Sequence, residues 1–117
     1  MKCIDYEKLY SRFGDKDLIR TMLGIFIGDF DERLAKMKTL SESSDFNGLY
    51  KASHALKGAA GTIGASQLAF CAATLENAAT EGKEDSIRQA WSALIDEADC
   101  VKSEVEIILH EAGMTSS

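Results

Sequence analysis

Apolar residues recur along this chain at three- and four-residue steps, the spacing of one face of an α-helix. Over residues 15–40 the rhythm is carried by Ile19, Met22, Phe26, Phe30, Met37 and Leu40, with Leu23, Ile27 and Leu34 widening the stripe. Asp15 is placed to open this helix, and Ser41-Glu42-Ser43-Ser44 reads as the loop after it. A shorter helix, Tyr6 to Phe13, precedes it, capped by Asp5 and ended by Gly14. Ser44 or Asp45 opens a third helix, which carries Phe46, Leu49, Leu56, Ala60 and Ile63 and ends near Gly64. Ser66 opens a fourth, with Leu68, Cys71, Leu75 and Ala78 inward and Gly82 closing it. The fifth begins at Asp85 or Ser86, where Ser86 and Gln89 have the spacing of a capping box. It repeats Ile87, Trp91, Leu94, Ala98, Val101, Val105, Ile108 and Ala112, a bundle seam sustained over roughly four heptads. Four long amphipathic helices with short connections predict an all-α fold, an antiparallel four-helix bundle with an additional short N-terminal helix.

Composition narrows the picture. The 117 residues are expected to form one domain, 1–117, and contain no proline, the residue least compatible with a helix interior. Nineteen acidic residues against thirteen Lys and Arg give a net charge of −6, which excludes the basic footprint of a nucleic-acid-binding domain. Apolar runs such as Leu23 to Ile27 are far short of the ~20 residues a bilayer span needs, so no membrane association is expected. Cys3, Cys71 and Cys100 are odd in number and widely spaced, which reads as three free thiols in a reducing cytoplasm. His110 shares no face with other ligand-type residues, so no metal site is expected.

One histidine breaks the pattern. On a wheel of the third helix, Phe46, Ser53, Leu56, Ala60 and Ile63 share one sector, and His54 points about 140° away from its centre. His54 therefore faces solvent. Lys57 follows at i+3 on the same side, Ala55 lies alongside, and Gly58 and Gly61 come one and two turns on. Each mid-helix glycine costs about 0.5–1 kcal/mol relative to alanine. Gly58 lies nearly opposite the core stripe, where its effect is to strip bulk from around the imidazole. From Phe46 to Leu75 there is no Asp or Glu, and the only charges are Lys51 and Lys57. Such a stretch suits a histidine that acquires a doubly negative group, because acidic neighbours would repel it.

The run His54-Ala55-Leu56-Lys57-Gly58-Ala59-Ala60-Gly61-Thr62-Ile63-Gly64-Ala65 resembles the signature of histidine-containing phosphotransfer domains. The resemblance continues through Leu68, Cys71 and the pair Leu75-Glu76, and helix order and length extend it over nearly the whole chain. It implies an intermediate of a multistep two-component phosphorelay, without a catalytic site of its own. His54 would accept a phosphoryl group from the aspartyl phosphate of one receiver domain and pass it to another. Lys57 would stabilise that group, Gly58 and Gly61 would give the receiver clearance, and Lys51 and Ala55 would lie on the docking surface. The implied partners are response-regulator receivers and a hybrid sensor histidine kinase. Mg²⁺ would sit on the receiver, this chain needing no cofactor, and the protein would be a cytoplasmic monomer. An exposed imidazole is largely neutral at pH 7, so one ring nitrogen has a lone pair for attack at phosphorus.

Two other readings compete. One is the phosphoacceptor domain of a chemotaxis-type kinase, which opens a much longer chain; the tail after Ala112 instead reads as that of a complete small protein. The other is a helical interaction module that carries no phosphoryl group, which bundle patterning alone equally predicts. The conjunction of exposed His54, Lys57 at i+3 and Gly58 at i+4 favours the relay. The remaining conspicuous residues have structural explanations: Gly24-x-x-x-Gly28 as tight packing against a neighbouring helix, and Trp91 and Cys71 as core.

Overall fold

The computed structural model describes residues 2–115, with side chains described for residues 2–110. Five helices follow one another: α1 (Tyr6–Phe13), α2 (Lys16–Glu42), α3 (Phe46–Thr62), α4 (Ser66–Glu81) and α5 (Glu84–Thr115), with no strand among the described residues. Their starts obey local chemistry. Asp5, Asp15 and Asp45 each accept hydrogen bonds from backbone N–H groups of the first turn that follows, satisfying donors that a helix leaves free. At Asp45 the cap also needs Gly48, since a Cβ there would come within 2.7 Å of the Asp45 carboxylate and 2.8 Å of Leu40. Gly14 and Gly82 end α1 and α4 in the left-handed conformation that glycine adopts without strain.

Two boundaries differ from the sequence reading. Helix α2 runs on through Ser41 and Glu42, because polar residues late in a helix face solvent at little cost. Helix α5 starts a residue or two early, at Glu84, with Ile87 N–H already bonded to the Lys83 carbonyl. Ser86 thus lies inside the first turn, and no capping box forms with Gln89. Glu84 and Asp85 in that turn complement the helix dipole instead.

The interior is built by the expected stripes. Leu23 and Phe30 of α2, Leu49 and Leu56 of α3, Leu68 and Leu75 of α4, and Leu94 and Val101 of α5 are all fully buried. Helix α3 packs along α4, α4 along α5, and α2 touches both α3 and α5, while α1 leans on α2. A Lys102–Asp31 ion pair at 2.7 Å ties α5 to α2 at the surface. Ala112, the last position of the expected seam, lies outside the residues whose side chains are described.

Three expectations about packing and cysteine fail. Trp91 is only half-buried, at the edge of the core. Gly24 and Gly28 pack against no neighbouring helix, for a Cβ on either would find no atom of another described element within 4 Å. The spacing fits a close helix contact, but the stripe that decides which face meets a neighbour runs through Leu23, Phe26 and Phe30. Cys71 is a free, buried thiol as expected, whereas Cys3 and Cys100 are joined as a disulfide with Cα atoms 6.2 Å apart. Glu104 lies beside that pair, so Cys3, Cys100 and Glu104 form a metal-ligand grouping that the sequence spacing did not suggest. The two sulfurs are bonded to each other, and one Glu104 oxygen accepts the N–H groups of Cys3 and Ile4.

Candidate functional site around His54

Helix α3 presents its buried face through Leu49, Ser53, Leu56 and Ala60, which turns His54 outward. The His54 side chain is 62% exposed, yet its ring is held in place. Nδ1 lies 2.6 Å from Oε2 of Glu76, a residue of α4 whose side chain is only 10% exposed. The other carboxylate oxygen, Oε1, accepts a hydrogen bond from Lys57 Nζ at 2.9 Å. Glu76 therefore bridges the two residues that the sequence places at i and i+3. Tyr50 stands one turn before His54 with its ring nearly parallel to the imidazole, centroids 6.2 Å apart and planes inclined by 17°.

This arrangement fixes the tautomer of the neutral ring. The Lys57 ammonium, and after it the His54 hydrogen bond, hold the Glu76 carboxyl below the ordinary glutamate range. An ionised carboxylate only accepts hydrogen bonds, so the ring nitrogen that faces it must carry the hydrogen. In neutral His54 that is Nδ1–H, and Nε2 keeps the lone pair. If Nε2 bonds to an electrophile, positive charge develops on the imidazole, and Glu76 is placed to stabilise it. A nucleophilic nitrogen, a fixed tautomer and a counter-charge are thus assembled without a general base.

Other site candidates fall around this centre. Gly58 and Gly61 are exposed, and no described side chain beyond their chain neighbours and no other element lies within 4 Å of where a Cβ would stand on either. Lys51 and Ala55 are also exposed and line a groove of about 840 Å³ between α3 and α2, opposite Arg33 and Lys36. A second groove of about 270 Å³ continues it toward the end of α3, between Ala59 and Thr62 on one side and Met22 and Ile25 on the other. Ile25 is 65% exposed beside the open Gly24 and Gly28, so α2 contributes an apolar, low-relief strip next to the histidine helix.

The acid-free reading of the histidine's surroundings needs correction. The stretch without Asp or Glu ends at Leu75, and the next residue is the carboxylate that touches His54. The sequence marks Glu76 only through the Leu75-Glu76 pair of the family resemblance, which assigns it no role. A usable signal existed, a glutamate on the inward side of α4, between Leu75 and Ala79, where an unpaired charge would be costly. Tyr50 is a second neighbour that the pattern leaves without a role, although i−4 is the position of a helical neighbour.

Comparison with known proteins agrees with this architecture. The Hpt domain family model matches residues 21–109, and the chain belongs to that family, whose members serve as phosphoryl carriers. Among solved structures, a histidine-containing phosphotransfer protein from maize matches with a TM-score of 0.83. The match covers 97% of this chain and 87% of that one at 17% identity, a likeness of fold. No curated protein matches the chain in sequence. No helix among the described residues is long and apolar enough to cross a membrane.

Proposed function

We propose that this protein carries a phosphoryl group on Nε2 of His54 within a multistep phosphorelay. The observation that carries the reading is the Glu76 bridge, which holds an exposed imidazole as its Nδ1–H tautomer with an ammonium beside it. In the forward step Nε2 attacks the phosphorus of a receiver's aspartyl phosphate. The N–P bond forms, the P–O bond to the aspartate breaks, and the carboxylate leaves with the electron pair. Nδ1 keeps its proton against Glu76. Transfer to a second receiver reverses these bond changes.

Lys57 supports the step because an ammonium has three donors and spends one on Glu76, leaving others for phosphoryl oxygens. Mg²⁺ belongs to the receiver in this scheme, and the carrier supplies no catalytic group beyond the nucleophile and its supports. The four long helices are taken to form an antiparallel bundle. The low-relief strips of α2 and α3, including Lys51, Ala55, Gly58 and Gly61, form the face on which a receiver docks. The remaining partner is a hybrid sensor kinase, and the protein acts as a cytoplasmic monomer.

The test is incubation with a receiver carrying radiolabelled aspartyl phosphate and Mg²⁺. The expected product is a label on this chain that is stable to alkali, labile to acid, and absent from a folded His54→Gln variant. Equal labelling of that variant would refute the assignment.

A further inference from the structure

The N-terminal arm before α1 is held in an unusual way. Cys3 is 6% exposed and Ile4 1%, and both backbone N–H groups bond to Oε2 of Glu104 on α5. Cys3 is joined to Cys100, one turn before Glu104 on α5. The next residue, Asp5, donates its N–H to the carbonyl of Gly64 at 3.0 Å, in the turn that ends the histidine helix. Gly64 has φ +74°, and a Cβ there would meet the Asp5 carbonyl and Leu9 at 3.2 Å. The arm thus crosses from α5 to the end of α3 and is locked at one point by a bond spanning 97 residues.

We infer that Cys3 and Cys100 form a reversible thiol–disulfide site, which clasps this arm and α1 onto the helices when oxidised and releases them when reduced. The placement of this site in a reducing cytoplasm rests on the relay reading; there, disulfides in ordinary proteins are transient and sense redox state. The Cα separation of 6.2 Å lies within the range that a disulfide spans without backbone movement. A groove of about 480 Å³, lined by Cys3, Ile4, Gly64 and Gln67, gives a small thiol a route to the bond.

The exchange balances with a monothiol of the glutathione class as reductant. Its thiolate attacks one protein sulfur, giving a mixed disulfide and releasing the other cysteine as a thiolate that takes up a proton. A second small thiolate attacks the small-molecule sulfur of the mixed disulfide and expels the remaining cysteine as a thiolate that also takes up a proton, so the protein gains two electrons and two protons and the reductant leaves as its own disulfide. What then holds the arm is the burial of Ile4 and Leu9, two N–H bonds to the Glu104 carboxylate and one to the Gly64 carbonyl, and the entropic restraint of a long covalent loop is gone. Glu104 also faces Glu97, whose carboxyl is pushed up by burial and by the Glu104 charge, so the arm's N–H groups are the local compensation that opening removes.

The experiment is native-state amide hydrogen exchange on the whole chain, equilibrated in reduced or oxidised glutathione, with alkylation counting free thiols. In the oxidised sample only Cys71 should remain as a free thiol, and in the reduced sample all three. Residues 4–13 should exchange at least about tenfold faster when reduced, while α3 amides from Leu49 to Ala60 change little. Cys3→Ser and Cys100→Ser should each exchange like the reduced wild type in either buffer. Three free thiols in excess oxidised glutathione would overturn the proposal, as would equal exchange of the arm in both states. Arm protection in the reduced protein that depends on added Zn²⁺ and is lost with chelator would also overturn it, in favour of a metal clasp. Because nothing in this readout involves phosphoryl transfer, failure of His54 labelling and failure of the clasp are separate results.

Discussion

His54 Nδ1 lies 2.6 Å from Glu76 Oε2, the histidine mostly in solvent and the glutamate mostly out of it. The pair joins α3 to α4 at the point where the chemistry is proposed. A carboxylate so placed does two things at once: it aims Nε2 outward, and it supplies the negative charge that an alkylated or phosphorylated imidazole needs.

Glu76→Gln tests that second role. The amide oxygen still accepts the Nδ1–H bond, so the tautomer persists, but the bond is no longer charge-assisted. The difference between charged and neutral hydrogen bonds is about 1 kcal/mol, so transfer from a phosphorylated receiver should slow roughly five- to tenfold. Glu76→Ala should be slower still, and nitrogen NMR of His54 should show Nδ1–H predominating in wild type and Gln but mixed tautomers in Ala.

Acid stability follows from the same carboxylate. The folded Glu76 carboxyl binds its proton less tightly than the ordinary value of 4.5, chiefly because of Lys57. Below that value the unfolded chain holds more protons, so its contribution to folding is complete above about pH 5 and is lost as pH falls through the lower folded value. Denaturant unfolding at pH 7 and pH 3 should therefore show a smaller acid loss in Glu76→Gln than in wild type.

Lys57 has a structural part beside its proposed chemical one, because removing it leaves Glu76 with one partner. Lys57→Ala should cost about 1 kcal/mol of stability and slow transfer about tenfold or more. Arg should restore the stability better than the rate, since its planar fork suits a carboxylate more than it replaces a point charge near phosphorus. A Lys57→Glu variant transferring at the wild-type rate would end the electrostatic assignment.

Gly58 separates folding from docking. Its Cβ position is open, so Gly58→Gln should gain up to about 1 kcal/mol in stability by removing the backbone entropy cost. The same side chain stands beside the His54 ring, where a misplacement of about 1 Å costs up to a hundredfold in rate. A raised melting temperature with transfer at least about tenfold slower is expected, with Gly58→Ala between. Gly24→Ala on α2 should likewise raise the melting temperature by a similar mechanism.

Local chemistry was legible in the sequence. The ends of α1 follow from Asp5 and Gly14, the start of α3 from Asp45, and the outward direction of His54 from the stripe of Leu49, Leu56 and Ala60. Relationships between helices were not. The His54–Glu76 contact depends on how α3 and α4 are offset across the turn at Ile63–Ala65, and no periodicity within either helix encodes that offset. Cys3 and Cys100 meet only because the arm folds back across the end of α3. The Gly24-x-x-x-Gly28 spacing was misread for the same reason: spacing says that a close approach is possible, and only the position of a neighbour says whether one occurs.

In the proposed relay, the openness of His54 sets a rule for traffic through the protein. On the proposed reading, one ring edge and one flanking surface serve both the receiver that delivers and the receiver that collects, so the two visits exclude each other in time. Idle receivers, having nothing to give, then obstruct delivery simply by occupying the landing place. Throughput in such a relay rises with donor supply only while collectors stay scarce, and the ratio of the two populations sets the current as much as any rate constant does.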